Sequence, residues 1–231
     1  MQTVLITGAK RGIGLGHARR YAERGVRVFA TARSDRDAGE LGALADAYPR
    51  QVTVMSYRAD DPSAPSKLQR SLQGQPIDLL FANAGAMGNR QQRFGDVDVE
   101  GVLALIRINA LAPLQLAEAL VENVAASERK IIAFQTSLMG SIGDNDSGGA
   151  YAYRLSKAAL NMVGKNVAND LRGRGIISVL LHPGWVRTDM GGPNGKISVE
   201  ECVQAQQRLL EGLTPEHSGR FFNYDGRELP W

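Results

Sequence analysis

The feature that most constrains this chain is an alternation running from end to end. Short runs of apolar and β-branched residues recur between longer segments with helical spacing. Strands are expected over Thr3–Thr7, Val26–Ala32, Val52–Tyr57, Ile77–Asn83, Lys130–Thr136, Ile176–Leu181 and Gly219–Tyr224. Helices are expected over Ile13–Arg24, Asp37–Ala47, Ser63–Leu72, Asp98–Val124, Tyr151–Arg172 and Val199–Leu210. Strands separated by helices of a dozen residues imply βαβ units and a parallel sheet. Val4-Leu5-Ile6, Ile77 to Ala82 and Ile131 to Phe134 are apolar nearly throughout, as strands covered on both faces should be. The expected fold class is therefore α/β: a three-layer, doubly wound parallel sheet.

Composition narrows the possibilities further. At 231 residues, with 43% hydrophobic and 22% charged residues, the chain suits one large globular domain over residues 1–231. Its net charge is +3, with basic residues scattered and no run longer than pairs such as Lys10-Arg11, so no nucleic-acid partner is expected. No apolar stretch is read as approaching the length of a membrane helix, and no leader peptide is read at the N-terminus. The single cysteine, Cys202, permits no intrachain disulfide and fits a reducing, cytoplasmic setting. Lying among polar helical residues, Cys202 is read as inert. His17, His182 and His217 show no metal-ligand spacing, and no metal site is expected.

The sharpest local signal follows the first strand. Thr7-Gly8-Ala9-Lys10-Arg11-Gly12-Ile13-Gly14 opens a helix directly at a strand end. Gly8 suits a tight turn, Gly12 lets the backbone approach a pyrophosphate, and Gly14 allows close helix–strand packing. The helix start offers N–H groups and the positive dipole end to phosphates. The spacing G-x-x-x-G-x-G is neither a Walker loop nor the G-x-G-x-x-G of long dehydrogenases.

This loop resembles the cofactor-binding signature of the short-chain dehydrogenase/reductase family, and the resemblance extends over almost the whole chain. Phe81-Ala82-Asn83-Ala84-Gly85 is similar to that family's Asn-Asn-Ala-Gly element, with Ala82 replacing the first Asn. His182-Pro183-Gly184-Trp185-Val186-Arg187-Thr188 is similar to its Pro-Gly motif. The resemblance implies a Rossmann fold and a nicotinamide cofactor held by Gly8, Lys10, Arg11, Gly12, Ile13 and Gly14. It adds Asp60 at the adenine, Asn83, Ala84 and Gly85 beside it, Pro183, Gly184, Val186 and Thr188 near the nicotinamide, and Tyr153 and Lys157 as cofactor contacts, Lys157 at the nicotinamide ribose.

The end of the second strand decides between NAD and NADP. It reads Phe29-Ala30-Thr31-Ala32-Arg33-Ser34, with no acid at the position that would grip the ribose 2′-hydroxyl. Arg33 is placed to pair with a 2′-phosphate, and Lys10 or Arg11 offers a second cation. NADP(H) is the expected cofactor. Asp35 lies nearby and keeps NAD(H) possible.

Tyr153 and Lys157 lie four apart on one helical face. A phenol with a pKa of about 10 exchanges protons poorly near neutrality, and an ammonium one turn away favours its ionised form. Ser137 ends the fifth predicted strand, where its hydroxyl is placed to polarise a carbonyl oxygen. The Ser137–Tyr153 interval, 16 residues, is longer than usual in the family and leaves Ser141 as a rival. Asn109 is followed four residues later by Pro113, which has no N–H, so a kink and a freed carbonyl are expected there. The resemblance makes Asn109, Ser137, Tyr153 and Lys157 a catalytic tetrad, with Tyr153 exchanging the proton while hydride moves between the nicotinamide and a carbonyl carbon.

Met87, Met139, Trp185 and Met190 follow strand ends and are placed to line an apolar pocket. The segment Asp189 to Ile197 is short where longer relatives carry a substrate lid. With the ending Leu229-Pro230-Trp231, the chain is most similar to the branch containing C-factor (C-signal) proteins and sniffer-type carbonyl reductases. That implies a small carbonyl or alcohol substrate and, as is common in the family, a homodimer or homotetramer. A nucleotide-binding signalling protein with incidental catalysis is the alternative.

Overall fold

In a computed structural model, described over residues 1–34, 38–89 and 92–231, seven strands form one parallel sheet. They are β1 (Thr3–Ile6), β2 (Arg27–Ala32), β3 (Val52–Ser56), β4 (Leu79–Ala82), β5 (Ile131–Gln135), β6 (Ile177–His182) and β7 (Phe221–Asn223). Their order is β3-β2-β1-β4-β5-β6-β7. The helices are α1 (Gly12–Glu23), α2 (Glu40–Ala47), α3 (Ala64–Ser71), α4 (Val99–Ile106), α5 (Ala112–Ala125), α6 (Tyr151–Asp170) and α7 (Val199–Glu211). The expected start of the second helix at Asp37, and Asp35 beside it, lie outside the described residues.

Side-chain alternation along the strands builds the three layers. Val4, Ile6, Val28, Ala30, Leu79, Phe81, Ile131 and Ala133 share one face with residues of α1, α2 and α7. Their neighbours in sequence, including Leu5, Phe29, Leu80, Ile132 and Phe134, pack on the other face with α3, α5 and α6. Each large side chain fully buried here is stabilising by about 1.5–3 kcal/mol, so the central strands hold the molecule together. Sheet order reverses direction between β1 and β4, and the crevice beyond their C-terminal ends is where such sheets take ligands.

Three expectations change. The helix predicted over Asp98–Val124 is two helices joined by a π-helical turn, Arg107–Leu111. The Ala112 N–H reaches back to the Arg107 carbonyl, so the turn takes in one extra residue just before Pro113, where a plain kink was expected. Second, Val99–Ala125 is long and apolar enough by length and composition to cross a membrane, contrary to the sequence reading. In the fold, however, it packs against α3, α6 and the sheet. Third, Cys202 does not lie among polar groups. It is fully buried with Val186 and Ile197, and burial pushes its thiol up to about 12.

Candidate active site

Helix starts divide into two kinds here. α4 and α7 carry their own caps: Asp98 Oδ1 accepts from Gly101 N at 3.0 Å, and Ser198 Oγ from Glu201 N at 3.0 Å. α1 and α6, which bear the glycine loop and Tyr153, have no side-chain cap at the preceding residue, and neither do α2, α3 and α5.

Ahead of α1, Gly8 takes φ +67°, and a Cβ there would sit 2.8 Å from Ala84 Cα. A Cβ on Gly14 would lie 2.5 Å from the Gly8 carbonyl and 2.6 Å from Asn83 Nδ2. Only glycine fits either place. Asn83 locks the loop by donating from Nδ2 to Thr7 O at 2.9 Å and Gly8 O at 3.2 Å. Thr7, unmarked in the sequence reading, returns the contact: its Oγ1 accepts from Asn83 N and Ala84 N, both at 3.1 Å. A Cβ on Gly12 would meet the Thr188 methyl at 3.5 Å, so the loop after β6 approaches the glycine loop from the far side. Thr188 Oγ1 accepts from Gly191 N at 3.0 Å, which folds that loop on itself. Gly184 has φ +78°, and a Cβ would strike Ile197 and Tyr224 at 2.9–3.0 Å. Ile13 and Val186 meet beneath the crevice beside Cys202.

The two adjacent cations of the glycine loop diverge. Lys10 Cε lies 3.3 Å from where a Cβ of Gly39 would stand, against the connection between β2 and α2 that also carries Arg33. Arg11 turns the other way and pairs with Asp189 Oδ2 at 2.8 Å, both groups exposed. Asp60 is held by Arg58, which donates from Nε to Oδ1 at 3.2 Å and from Nη2 to Oδ2 at 2.8 Å. That hydrogen-bonded pair lowers the Asp60 pKa, with Arg33 contributing at longer range. Arg58, missed in the sequence, thus flanks the expected adenine position.

Asn109, Ser137, Tyr153 and Lys157 are all buried, on the segments that follow β4 and β5. Lys157 Nζ donates to Gln135 O at 2.9 Å and stands 5.8 Å from the Tyr153 ring centroid. Burial lowers the lysine to about 8. Gly85 keeps the space in front open, since a Cβ there would sit 3.7 Å from Lys157 Nζ and 3.2 Å from Asn109 Oδ1. Asn109 Oδ1 accepts from Ala86 N at 2.8 Å, while its Nδ2 donates to Ala86 O at 2.8 Å and Ser156 Oγ at 2.9 Å. Its side chain therefore ties the π turn to the loop after β4 and to α6. Ser137 Oγ accepts from Met139 N at 3.2 Å, which leaves its O–H to be donated elsewhere. Ser141 does not compete with it: its hydroxyl donates to Trp231 O at 3.1 Å and accepts from Asp144 N at 3.0 Å.

Phe94, Ile142, Trp185 and Met190 are exposed on the loops after β4, β5 and β6. Met87 and Met139 are half-buried on the first two of these loops. Among the described residues, no His, Cys, Asp and Glu gather as a metal site.

The family model for short chain dehydrogenases matches residues 2–196. C-signal of Myxococcus xanthus is 47% identical over 156 residues, covering 68% of this chain and 93% of that protein. Among solved structures, carbonyl reductase Sniffer of D. melanogaster superposes with a TM-score of 0.93 at 32% identity, over 100% of both chains. The NADPH-bound carbonyl reductase from chicken fatty liver gives 0.92 at 32% identity, over 100% of this chain and 99% of that one. C-signal and Sniffer lie in the branch to which the sequence pointed.

Proposed function

The chain belongs to the short-chain dehydrogenase family, and we propose that it is an NADPH-dependent carbonyl reductase acting as one domain over residues 1–231. The observation that carries the reading is the buried Lys157 beside Tyr153, near a crevice whose turn leaves no room for a Cβ at Gly8 or Gly14. The crevice fits a dinucleotide: Gly14 leaves no space for a Cβ, and α1 starts without a side-chain cap where a pyrophosphate would accept its N–H groups. Arg33, with Lys10 on the same side, would hold the 2′-phosphate. Asp60 lies toward the adenine, and Thr188 toward the nicotinamide. NADPH, when bound, supplies the hydride.

The protein's own groups supply the proton. Tyr153 gives its phenolic proton to the carbonyl oxygen as that oxygen gains charge, and Ser137 holds the same oxygen through its O–H. Lys157, charged below about 8, favours the phenolate left behind. Asn109 ties the π turn to its surroundings through its side chain, and its main-chain carbonyl would hold the water that restores the proton through Lys157. The apolar rim of Phe94, Ile142, Trp185 and Met190 favours a substrate with a hydrophobic body around its carbonyl. Exposed Val99, Leu103, Leu155 and Met162 on α4 and α6 support pairing of subunits into a homodimer or homotetramer. The lone, buried Cys202 fits a cytoplasmic setting.

NADPH oxidation with a panel of carbonyl compounds tests the reading, comparing wild type with Tyr153→Phe. We expect turnover by the wild type and loss of about 10²-fold or more in the variant. Equal rates on every compound would overturn it. The likeness to C-signal is the observation behind a second reading, a nucleotide-binding signalling protein, which that equality would favour.

A further inference from the structure

Tyr153 lies in the first turn of a helix that does not cap itself. Its N-cap residue, Ala150, is held at φ +45°, a left-handed conformation unfavourable for any residue with a Cβ. Gly148 and Gly149 precede it at φ +63° and +66°, so three successive left-handed residues set the angle at which α6 begins. Such a start persists only when its surroundings hold it.

One residue supplies that hold from a distant part of the chain. Gln92, in the loop after β4, accepts from Ala150 N through its main-chain oxygen at 3.0 Å. Its side-chain Oε1 accepts from Ala152 N at 2.8 Å, and the residue is 3% exposed. Gln92 therefore does for α6 what Ser198 does for α7, but across 60 positions of sequence. The same loop is fastened nearer its start by the paired Asn109–Ala86 bonds. A second set of bonds steadies the turn from the other side: Arg154 donates to Ser147 Oγ at 2.8 Å and to Gly148 O at 3.3 Å.

We propose that Gln92 is a positioning residue for Tyr153: the two hydrogen bonds it accepts, from Ala150 N and Ala152 N, fix the first turn of α6 and so the place of the phenol relative to Ser137 and Lys157. The inference rests on Tyr153 being the proton donor. A side chain that only stabilised the helix would alter unfolding alone, whereas a misplaced donor lowers kcat without weakening cofactor binding.

The test compares Gln92→Leu, which removes the acceptor, with Gln92→Glu, which keeps one. In Gln92→Leu, kcat should fall about 10- to 100-fold with the NADPH Kd within about 2-fold, as expected for a displaced catalytic group. Gln92→Glu should recover kcat to within about 3-fold of wild type, since its carboxylate still caps the turn. Hydrogen exchange provides a readout that needs no substrate. Amides of residues 151–156 should exchange about 5- to 10-fold faster in Gln92→Leu, the effect of a lost cap, with the middle of α6 unchanged. Unchanged kcat in Gln92→Leu, or equal loss in both variants, would overturn the proposal. Should the wild type reduce none of the carbonyl compounds, the functional reading fails on its own; unchanged exchange would then still overturn the latch.

Discussion

Lys157 donates its buried ammonium to the main-chain oxygen of Gln135 at 2.9 Å, and the side chain of that glutamine ends a buried chain of polar groups. Gln206 Nε2 donates to Gln135 Oε1 at 3.1 Å, and His17 Nε2 donates to Gln206 Oε1 at 3.0 Å. Helices α1 and α7 thus reach the C-terminal end of the interior strand β5, on which the lysine rests. A buried network of this kind is stabilising only while each member keeps its partner.

Gln206→Leu should therefore be costly. It strands the His17 N–H and Gln135 Oε1, two buried groups worth about 1–3 kcal/mol each when left unpaired. For a chain of this size, that loss should lower the thermal midpoint by roughly 5–15 °C. Differential scanning calorimetry reads it directly, and a midpoint within about 2 °C of wild type would show that the network is not needed for stability.

The charge of Lys157 sets an alkaline limit. Burial brings its folded pKa down to about 8, below the ordinary lysine value. The ammonium is present below about 8 and lost above it, so support for the Tyr153 phenolate disappears as pH rises. The stability effect has the opposite sense: between about 8 and 10.4 the unfolded chain binds the extra proton, so this residue makes the fold more stable as pH rises there. We expect kcat/KM for carbonyl reduction to fall with a limb near 8. In Lys157→Arg the guanidinium keeps its charge, and the limb should vanish even though the rate is lower. A limb that persists unchanged in that variant would assign it to another group.

Acid should weaken the fold through His17. Full burial lowers its pKa to about 4, against about 6.5 when unfolded. The neutral ring contributes its stability in full above about 6.5, and that contribution is lost as pH falls toward 4. Between pH 7 and 5 the loss from this one residue is about 2 kcal/mol. His182, also pushed down to about 4, chiefly by burial, adds to it. Urea unfolding at the two pH values should show a smaller acid loss in His17→Gln than in wild type. Parallel losses would mean that the ring is already protonated or exposed in the folded protein.

How far the residues alone reveal this molecule depends on whether the information is local. Strand alternation and the glycine spacing are local properties, so the sheet, its two apolar faces and the crevice were all readable. Pro113 announced that Asn109 would lose a partner, but nothing local says whether a helix kinks or takes in an extra residue; packing of the π turn against α6 decides that. The bonds between Gln92 and Ala152 and between Thr7 and Asn83 join parts of the chain 60 and 76 positions apart, and no periodicity marks such contacts. The apolar surroundings of Cys202 were hidden for the same reason, since its sequence neighbours are polar while its spatial neighbours are Val186 and Ile197; its reading as inert is consistent with that burial.

Lys10 and Arg11 were interchangeable in sequence and are not in space, which separates their expected roles toward NADPH. Lys10 extends over Gly39 on the side of Arg33, while Arg11 bridges to Asp189 in the loop after β6. A 2′-phosphate held by Arg33 would gain charge-assisted hydrogen bonds that NADH cannot make. Arg33→Ala should therefore weaken NADPH about 10- to 100-fold and leave NADH within about 3-fold, as loss of such bonds requires. Arg11→Ala should change the NADPH-to-NADH ratio by less than about 3-fold, because an exposed ion pair contributes little and points away from the phosphate. Fluorescence titration of each variant with both nucleotides measures the ratio. Equal affinity of the wild type for NADPH and NADH would refute the cofactor assignment. A larger effect from Arg11 than from Arg33 would instead move the phosphate site to the other side of the glycine loop.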